Sequence, residues 1–255
     1  LRKRVPRLLI EGALAAVVSL VFASSAEASH AAMIAIFLTP AALVQRFDGL
    51  LEENRELLWQ GDPRGVNRVT ALSVLALFTG VLAVYVAAVS LLPNTRIDEA
   101  TAVVAQIARI REQTILTRQF GSFPSLLAYN AGVLVTLAIV SAVYRSLGAL
   151  LVLSWNAARW AAALSVLIRR AAEVTTISKV LFVGVAWAAI LPHLLLEAAA
   201  YVTGSIGAIF FSRALLLYRW DDPQAPDVRR AVGRLCLAAL VLLIMGALSE
   251  STFPR

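Results

Sequence analysis

The chain has 255 residues and a formal net charge of +7, yet only 15% of its residues are charged and 60% are hydrophobic. A soluble globular domain is about half apolar and about a quarter charged, so this composition excludes an ordinary soluble domain. The basic residues form no single patch with interleaved aromatic residues, so we expect no nucleic-acid partner. With a mean hydropathy of +0.78, the chain is predicted to be a membrane protein.

The apolar runs predict helices, because they are rich in alanine and leucine and show no alternation of apolar and polar residues. The first two spans cover about 8–24 and about 30–46, lengths near the ~20 residues that cross a bilayer. The basic start and the small residues after the first span resemble a signal peptide. Because a second apolar run follows within a few residues, we expect a retained helical hairpin instead.

The next segments complete two predicted units, an N-terminal unit over 1–92 and an extracytoplasmic segment over 93–123. In the first unit, apolar residues recur at helical spacing after the second span: Phe47, Leu50, Leu51, Leu57 and Leu58. We expect this amphipathic cytoplasmic helix, 47–58, to lie on the membrane surface or against a partner. A third span covers about 70–92. Residues 93–123 also carry a helical apolar stripe, typical of a solvated helix that caps a bundle.

The remaining chain, 124–255, is predicted to form the membrane core, beginning with two closely spaced spans. These cover about 124–143 and about 147–167. Because only Tyr144-Arg145-Ser146 separates them, they should be antiparallel neighbours.

A proline interrupts the next apolar region. The stretch 177–190 is too short to cross alone, and Pro192 follows it, so the sequence predicts a re-entrant or broken helix before Pro192. A longer helix of about 192–217 and a last span of about 233–249 come next. The predicted fold is an all-α polytopic membrane bundle with about six to seven transmembrane helices.

The distribution of basic residues predicts the topology. If the N-terminus is inside, internal segments hold 14 of the lysines and arginines and external segments hold 8, with Arg159 inside a span. Basic residues concentrate in cytoplasmic loops. We therefore expect a plasma-membrane protein with a cytoplasmic N-terminus and an extracytoplasmic C-terminus.

Two ionisable residues interrupt the apolar region after Pro192. His193 and Glu197 are four residues apart, so they share one helix face. Such side chains are costly in lipid and usually face a protein interior or a wet cavity. The positive N-terminal end of the helix disfavours the imidazolium form of His193, whereas the Glu197 carboxylate favours it. Two arrangements therefore remain open: a neutral His193 hydrogen-bonded to Glu197, or a proton shared between the two side chains.

Asn130 and Asn156 complete a predicted intramembrane polar cluster with these two residues, structural or transport-related. They come from adjacent spans near the same external side, and each could bond a neighbouring helix for about 1 kcal/mol. Gly204 and Gly207 permit close helix packing. Two same-face ligands are too few for a metal, and no nucleotide loop, nucleophile elbow or HExxH motif is present. We therefore expect no metal, no cofactor, no catalytic residues and no enzymatic activity.

The chain resembles the stage II sporulation protein M family (the DUF95 membrane proteins) over about residues 124–217. The matching residues are Asn130, Gly148, Asn156, Leu191-Pro192-His193, Glu197, Gly204 and Gly207. The family usually has glycine after the histidine, where this chain has Leu194. The resemblance implies a multi-pass protein of a prokaryotic plasma (inner) membrane that works in a complex. Relatives in this family are often encoded near AAA ATPases of the MoxR type, so the resemblance also implies such an ATPase system as a candidate partner.

Two functions fit these observations. The first is a non-enzymatic membrane scaffold or complex subunit, whose partners would be the lipid bilayer, other membrane proteins such as an AAA ATPase system, or further copies of the chain. The alternative is a transporter or channel component with an intramembrane site at His193 and Glu197. Broken helices at mid-membrane often build such sites.

Overall fold

The computed structural model describes residues 4–26, 28–58, 63–91, 123–174, 179–217, 222–223 and 225–251. Within these ranges the chain forms six α-helices and no strands. They are α1 (Arg4–Ala23), α2 (Ala28–Leu58), α3 (Pro63–Leu91), α4 (Phe123–Val174), α5 (Lys179–Leu217) and α6 (Ala225–Ser251).

Each of the six helices contains a stretch that is long and apolar enough to cross a membrane. Many large aliphatic side chains along them are exposed, as expected of a surface that faces lipid. The predicted all-α membrane bundle is thereby confirmed. The predicted segment 93–123 lies almost entirely outside the described residues.

Helices α1 and α2 form the predicted hairpin. A short turn follows Ala23, in which the Ser24 amide donates to the Leu20 carbonyl at 2.9 Å. Ion pairs then join the far ends of the two helices: Arg4 contacts Glu53 at 2.6 Å and Arg46 contacts Glu11 at 2.7 Å. Early residues of α1 thus face late residues of α2, so the helices are antiparallel.

The amphipathic segment 47–58 is not a separate surface helix, which corrects the sequence-based expectation. It continues α2 without interruption. Its residues Phe47, Leu50 and Leu51 are buried in the main hydrophobic core. These three residues of the stripe therefore lie inside the bundle, and the helix extends beyond the apolar run because its inner face still has neighbours to pack against. The side chains of Leu57 and Leu58 lie outside those that the structure describes.

Helix α3 packs against α1 at two glycines. A Cβ atom added to Gly12 would lie 2.1 Å from the carbonyl oxygen of Leu77, and one added to Gly80 would lie 2.1 Å from that of Leu9. Only residues without a side chain allow backbones to approach this closely. The crossing point of α1 and α3 is therefore fixed by this glycine pair.

Helix α4 consists of two antiparallel arms that meet at Arg145. Arg145 has φ 53° and ψ −131°, which are not helical values. A Cβ added to Gly148 would lie 2.4 Å from the carbonyl oxygen of Val140. In a straight helix these two positions would be about 12 Å apart along the axis. The predicted reversal at Tyr144-Arg145-Ser146 is confirmed, and the second arm continues to Val174.

Helix α5 runs without a break from Lys179 to Leu217, and Pro192 lies inside it. The predicted re-entrant or broken helix before Pro192 is therefore wrong. Proline removes one backbone donor and crowds the preceding turn. Membrane helices tolerate this because neighbouring groups satisfy the freed carbonyl. At 39 residues, α5 is about 58 Å long, roughly twice the hydrocarbon thickness.

Helices α5 and α6 pack along small residues, as predicted for Gly204 and Gly207. A Cβ on Gly207 would lie 3.3 Å from the Leu235 side chain of α6. A Cβ on Gly204 would lie 2.5 Å from Leu134 of α4. Helix α6 begins at Ala225, earlier than the predicted 233, so part of the expected polar loop is helical.

Candidate functional site

One face of α5 carries three buried polar side chains at intervals of four residues: His193, Glu197 and Tyr201. His193 and Glu197 are each 6% exposed and Tyr201 is 1% exposed. Because residues four apart lie on the same side of a helix, all three face the interior of the bundle. The inward orientation predicted for His193 and Glu197 is confirmed.

Asn130, in the first arm of α4, bridges two of these residues. Its side-chain amide donates a hydrogen bond to Oε1 of Glu197. Its carbonyl oxygen accepts one from the Tyr201 hydroxyl at 3.2 Å. The amide orientation follows from the chemistry, since the NH₂ group must face the carboxylate. Both polar ends of Asn130 are thus used to join α4 to α5.

Sequence analysis did not identify Tyr201. Its aromatic ring counts as apolar, so it merged with the surrounding hydrophobic run. The available signal was its spacing, because it follows Glu197 by the same four residues that separate Glu197 from His193.

His193 does not join this hydrogen-bonded group. Among the hydrogen bonds of the described residues, none connects it to Glu197, and its buried Nδ1 atom has no partner. Neither of the two arrangements left open by the sequence, a hydrogen bond from a neutral His193 to Glu197 or a proton shared between them, is formed by the described residues. A buried nitrogen without a partner has a desolvation cost that is not recovered, so the imidazole contributes to this face by packing.

Asn156 is buried but lies apart from the Asn130 contact. Its amide donates to the Val152 carbonyl of its own helix at 2.8 Å. No hydrogen bond joins Asn130 to Asn156 among those of the described residues. The antiparallel register explains this, because Gly132 and Asn156 line the same groove while Asn130 faces α5.

A second buried polar group, centred on Tyr85 of α3, was also missed by sequence analysis. The Tyr85 hydroxyl contacts Thr39 of α2 at 2.9 Å and Ser154 of α4 at 3.1 Å. It also donates to the Ala35 carbonyl at 3.1 Å. Three helices therefore meet at one phenol, which the sequence shows only as an aromatic residue in a span.

Charged residues collect at the end of the bundle where α4 reverses. Asp48 of α2 accepts a hydrogen bond from Ser146 at 2.5 Å and lies 3.6 Å from Arg213 of α5. The Arg4–Glu53 and Arg46–Glu11 pairs belong to the same end. The start of α1 and the ends of α2 and α5 therefore lie on one side with the α4 turn.

The described residues contain no group of three or more histidine, cysteine, aspartate or glutamate side chains that could hold a metal ion. Scans of family models, of curated proteins and of solved structures each found no match to this chain. The resemblance stated from the residues therefore stays a prediction.

Proposed function

We propose that this chain is a non-enzymatic scaffold or subunit of a larger membrane protein complex. The observation that carries the proposal is the Asn130 bridge, which places the buried carboxylate of α5 against an amide from α4. A carboxylate held by protein donors on a packed face joins helices, and a rigid bundle of this kind offers fixed surfaces to partners.

Packing around Glu197 supports the same function. A Cβ on Gly246 of α6 would lie 3.3 Å from Cγ of Glu197, so α6 closes over the stem of the side chain. The carboxylate is thus enclosed by α4 on one side and α6 on the other. This arrangement favours a structural role over exchange with water.

The resemblance in the core extends the proposal to the partners and the membrane. We propose a prokaryotic plasma membrane as the location, and as partners either membrane-associated proteins such as an AAA ATPase system or further copies of the chain. Native purification followed by mass spectrometry tests this. Stoichiometric recovery of a partner polypeptide or a homo-oligomer is the expected result. A monomer without partners, from native membranes in several mild detergents, would contradict it.

We also propose that the end carrying the α4 turn is cytoplasmic. The arginines that the fold brings to this end include Arg4, Arg46, Arg145 and Arg213. Basic residues favour the cytoplasmic side. Because α4 supplies two antiparallel arms, the six described helices would make seven crossings, which supports termini on opposite sides of the membrane.

Cysteine labelling tests this orientation. In a background with Cys236→Ala, Ser25→Cys at the opposite end should react with a membrane-impermeant maleimide in intact cells. Glu52→Cys should react only after the membrane is opened. The reverse pattern would overturn the orientation without affecting the fold.

A transporter or channel component is the second candidate, and one observation favours it. Nδ1 of His193 is buried without a partner, one turn before Glu197 on the same face. A transported proton or cation could bind at such an unsatisfied nitrogen. Flux through proteoliposomes containing the purified chain tests this candidate. Equal flux for the wild type, His193→Ala and Glu197→Gln would remove these residues from any transport pathway.

A further inference from the structure

An open groove lies between α2 and the two arms of α4, on the side of the bundle away from the Asn130 bridge. Its volume is ≈ 610 Å³. Small-molecule sites in proteins typically occupy about 300–1,000 Å³. Its walls are mainly apolar, with Ile36 and Phe37 from α2 and Val133, Leu151 and Trp155 from α4. Phe37 is 54% exposed, so the groove opens towards the membrane.

One end of the groove carries a positive charge. Arg159 is the only charged residue among the described residues that line it. Its guanidinium donates to the Tyr129 hydroxyl and lies 4.8 Å from the centre of the Tyr129 ring. Within the described part of the chain no carboxylate pairs with Arg159. Tyrosine is neutral, so this charge is not compensated.

Two other polar side chains of the groove bond to the backbone of their own helix. The Thr136 hydroxyl donates to the Gly132 carbonyl at 2.9 Å, and the Asn156 amide donates to the Val152 carbonyl at 2.8 Å. The groove is therefore apolar along its length and charged at one end, which is the polarity of an amphiphile.

The charged end of the groove is the one farther from the Arg145 reversal. Arg159 follows the Arg145 reversal by 14 residues, or about 21 Å along the second arm. With the reversal at one face of a hydrocarbon core about 30 Å thick, Arg159 is roughly 9 Å from the opposite face, towards which its long side chain can extend while its stem stays among apolar groups. The apolar walls continue to Leu151, about 12 Å from Arg159 along the arm in the direction of the reversal.

We propose that this groove binds one anionic phospholipid. The lipid phosphate accepts hydrogen bonds from the Arg159 guanidinium and the Tyr129 hydroxyl, and an acyl chain lies along the apolar walls over Gly132. A protein helix would have to supply a carboxylate at one defined depth to match Arg159. A lipid supplies the anion and the apolar chain in one molecule and already surrounds the groove. This proposal does not depend on the scaffold function.

Gly132 makes the site testable, because a Cβ added there meets nothing within 4 Å. The Cβ of Gly132→Leu therefore displaces no protein atom, and the rest of the leucine side chain should occupy the groove. Gly233 of α6 also has nothing within 4 Å of an added Cβ, so Gly233→Leu is the matched control. For the charge, Arg159→Gln is compared with Arg234→Gln, an exposed arginine of α6.

The experiment is native mass spectrometry of the purified full chain titrated with phosphatidylglycerol or phosphatidylcholine. We expect one phosphatidylglycerol to bind in preference to phosphatidylcholine. Arg159→Gln should lower the apparent affinity for phosphatidylglycerol about tenfold or more, the loss expected for a charge-assisted hydrogen bond. Gly132→Leu should prevent binding of either lipid at this site. Both control variants should bind as the wild type does.

Three results would overturn the proposal. These are equal binding of the two lipids, unchanged affinity in Arg159→Gln, or a polypeptide that occupies the groove and is lost in Gly132→Leu. Thermal unfolding of each variant in lipid-free detergent shows whether it is folded. If Arg159→Gln fails to fold, Arg159→Lys retains the charge without the planar fork. This variant should still prefer phosphatidylglycerol, but by a smaller factor than the wild type, and an unchanged preference would contradict the role of the guanidinium.

Discussion

At the scale of single residues, the buried polar side chains have different fates. Asn130 uses both ends of its amide, one for Glu197 and one for Tyr201. Nδ1 of His193 has no partner although it is buried one turn away. Polar side chains in a bundle of apolar helices are therefore not equivalent: Asn130 stabilises the packing through hydrogen bonds, and His193 through its volume alone.

Two substitutions of His193 separate the contribution of its size to stability from that of its polarity. His193→Ala should lower the unfolding temperature in detergent, because it leaves a cavity in a packed face. His193→Leu should not lower it, since an apolar side chain fills the space and removes an unsatisfied nitrogen. Leu195→Ala, at an exposed position of the same helix, is the control and should have little effect. A loss in His193→Leu equal to that in His193→Ala would show that the imidazole nitrogen matters.

Arg145 carries the backbone strain of the α4 reversal. It is the only residue other than glycine with a positive φ in the described chain. L-residues in such regions cost about 1–3 kcal/mol, and glycine does not. Arg145→Gly should therefore raise the unfolding free energy, whereas Arg145→Val should lower it. Equal unfolding temperatures for the two variants would argue against strain at this turn.

The sequence predicted part of this residue-level detail. The cost of ionisable groups in lipid was enough to orient His193 and Glu197 inward, and Asn130 was correctly placed in the same group. Tyr201 and Tyr85 were not found, because tyrosine counts as apolar in a hydrophobic run and the partners of its hydroxyl come from helices that are distant in the sequence. Hydrogen bonds between helices depend on tertiary packing, which periodicity along one helix does not report.

At the scale of elements, glycines set how closely the helices approach. Gly12 and Gly80 bring α1 and α3 together at the backbone, and Gly207 does the same more loosely for α5 and α6. Lipid gives helices no hydrophobic reason to associate, so close van der Waals packing between small residues is a main source of their affinity.

Gly80→Ala should destabilise the bundle. Its new methyl group would lie 2.1 Å from the Leu9 carbonyl oxygen, so the two helices must separate. Overpacking of this kind costs about 1–3 kcal/mol. Gly49→Ala is the matched control, since nothing lies within 4 Å of its added Cβ, and it should be neutral or slightly stabilising. Thermal unfolding in detergent measures both, and equal stability would mean that α1 and α3 do not meet as described.

Element boundaries show where sequence reasoning fails in a membrane. The hairpin of α1 and α2 and the reversal at Arg145 follow from apolar length and short polar turns, which are local signals. The continuity of α5 through Pro192 does not follow from such local signals, because the rules for proline come from helices in water. The end of α2 was placed too early because its apolar run stops before its buried face does.

At the scale of the whole molecule, ion pairs collect at one end of the bundle and buried hydrogen bonds lie towards the other. The α4 turn, the start of α1 and the ends of α2 and α5 share the ion pairs of Arg4, Arg46 and Arg213. Towards the other end lie the Asn130 bridge and the groove of Arg159. The helices are thus joined by ion pairs at one end and by buried hydrogen bonds deeper in the membrane.

The central claim is that the contact between Asn130 and Glu197 joins α4 to α5 as a structural unit. A double-mutant cycle with Asn130→Leu and Glu197→Met, measured as unfolding free energy in detergent, tests it directly. Each single variant should be destabilised, because it leaves the other polar group buried with fewer partners. The double variant should recover part of the loss, with a coupling of about 0.6–1.7 kcal/mol. Strictly additive losses would show that the two side chains do not stabilise each other and would contradict the account.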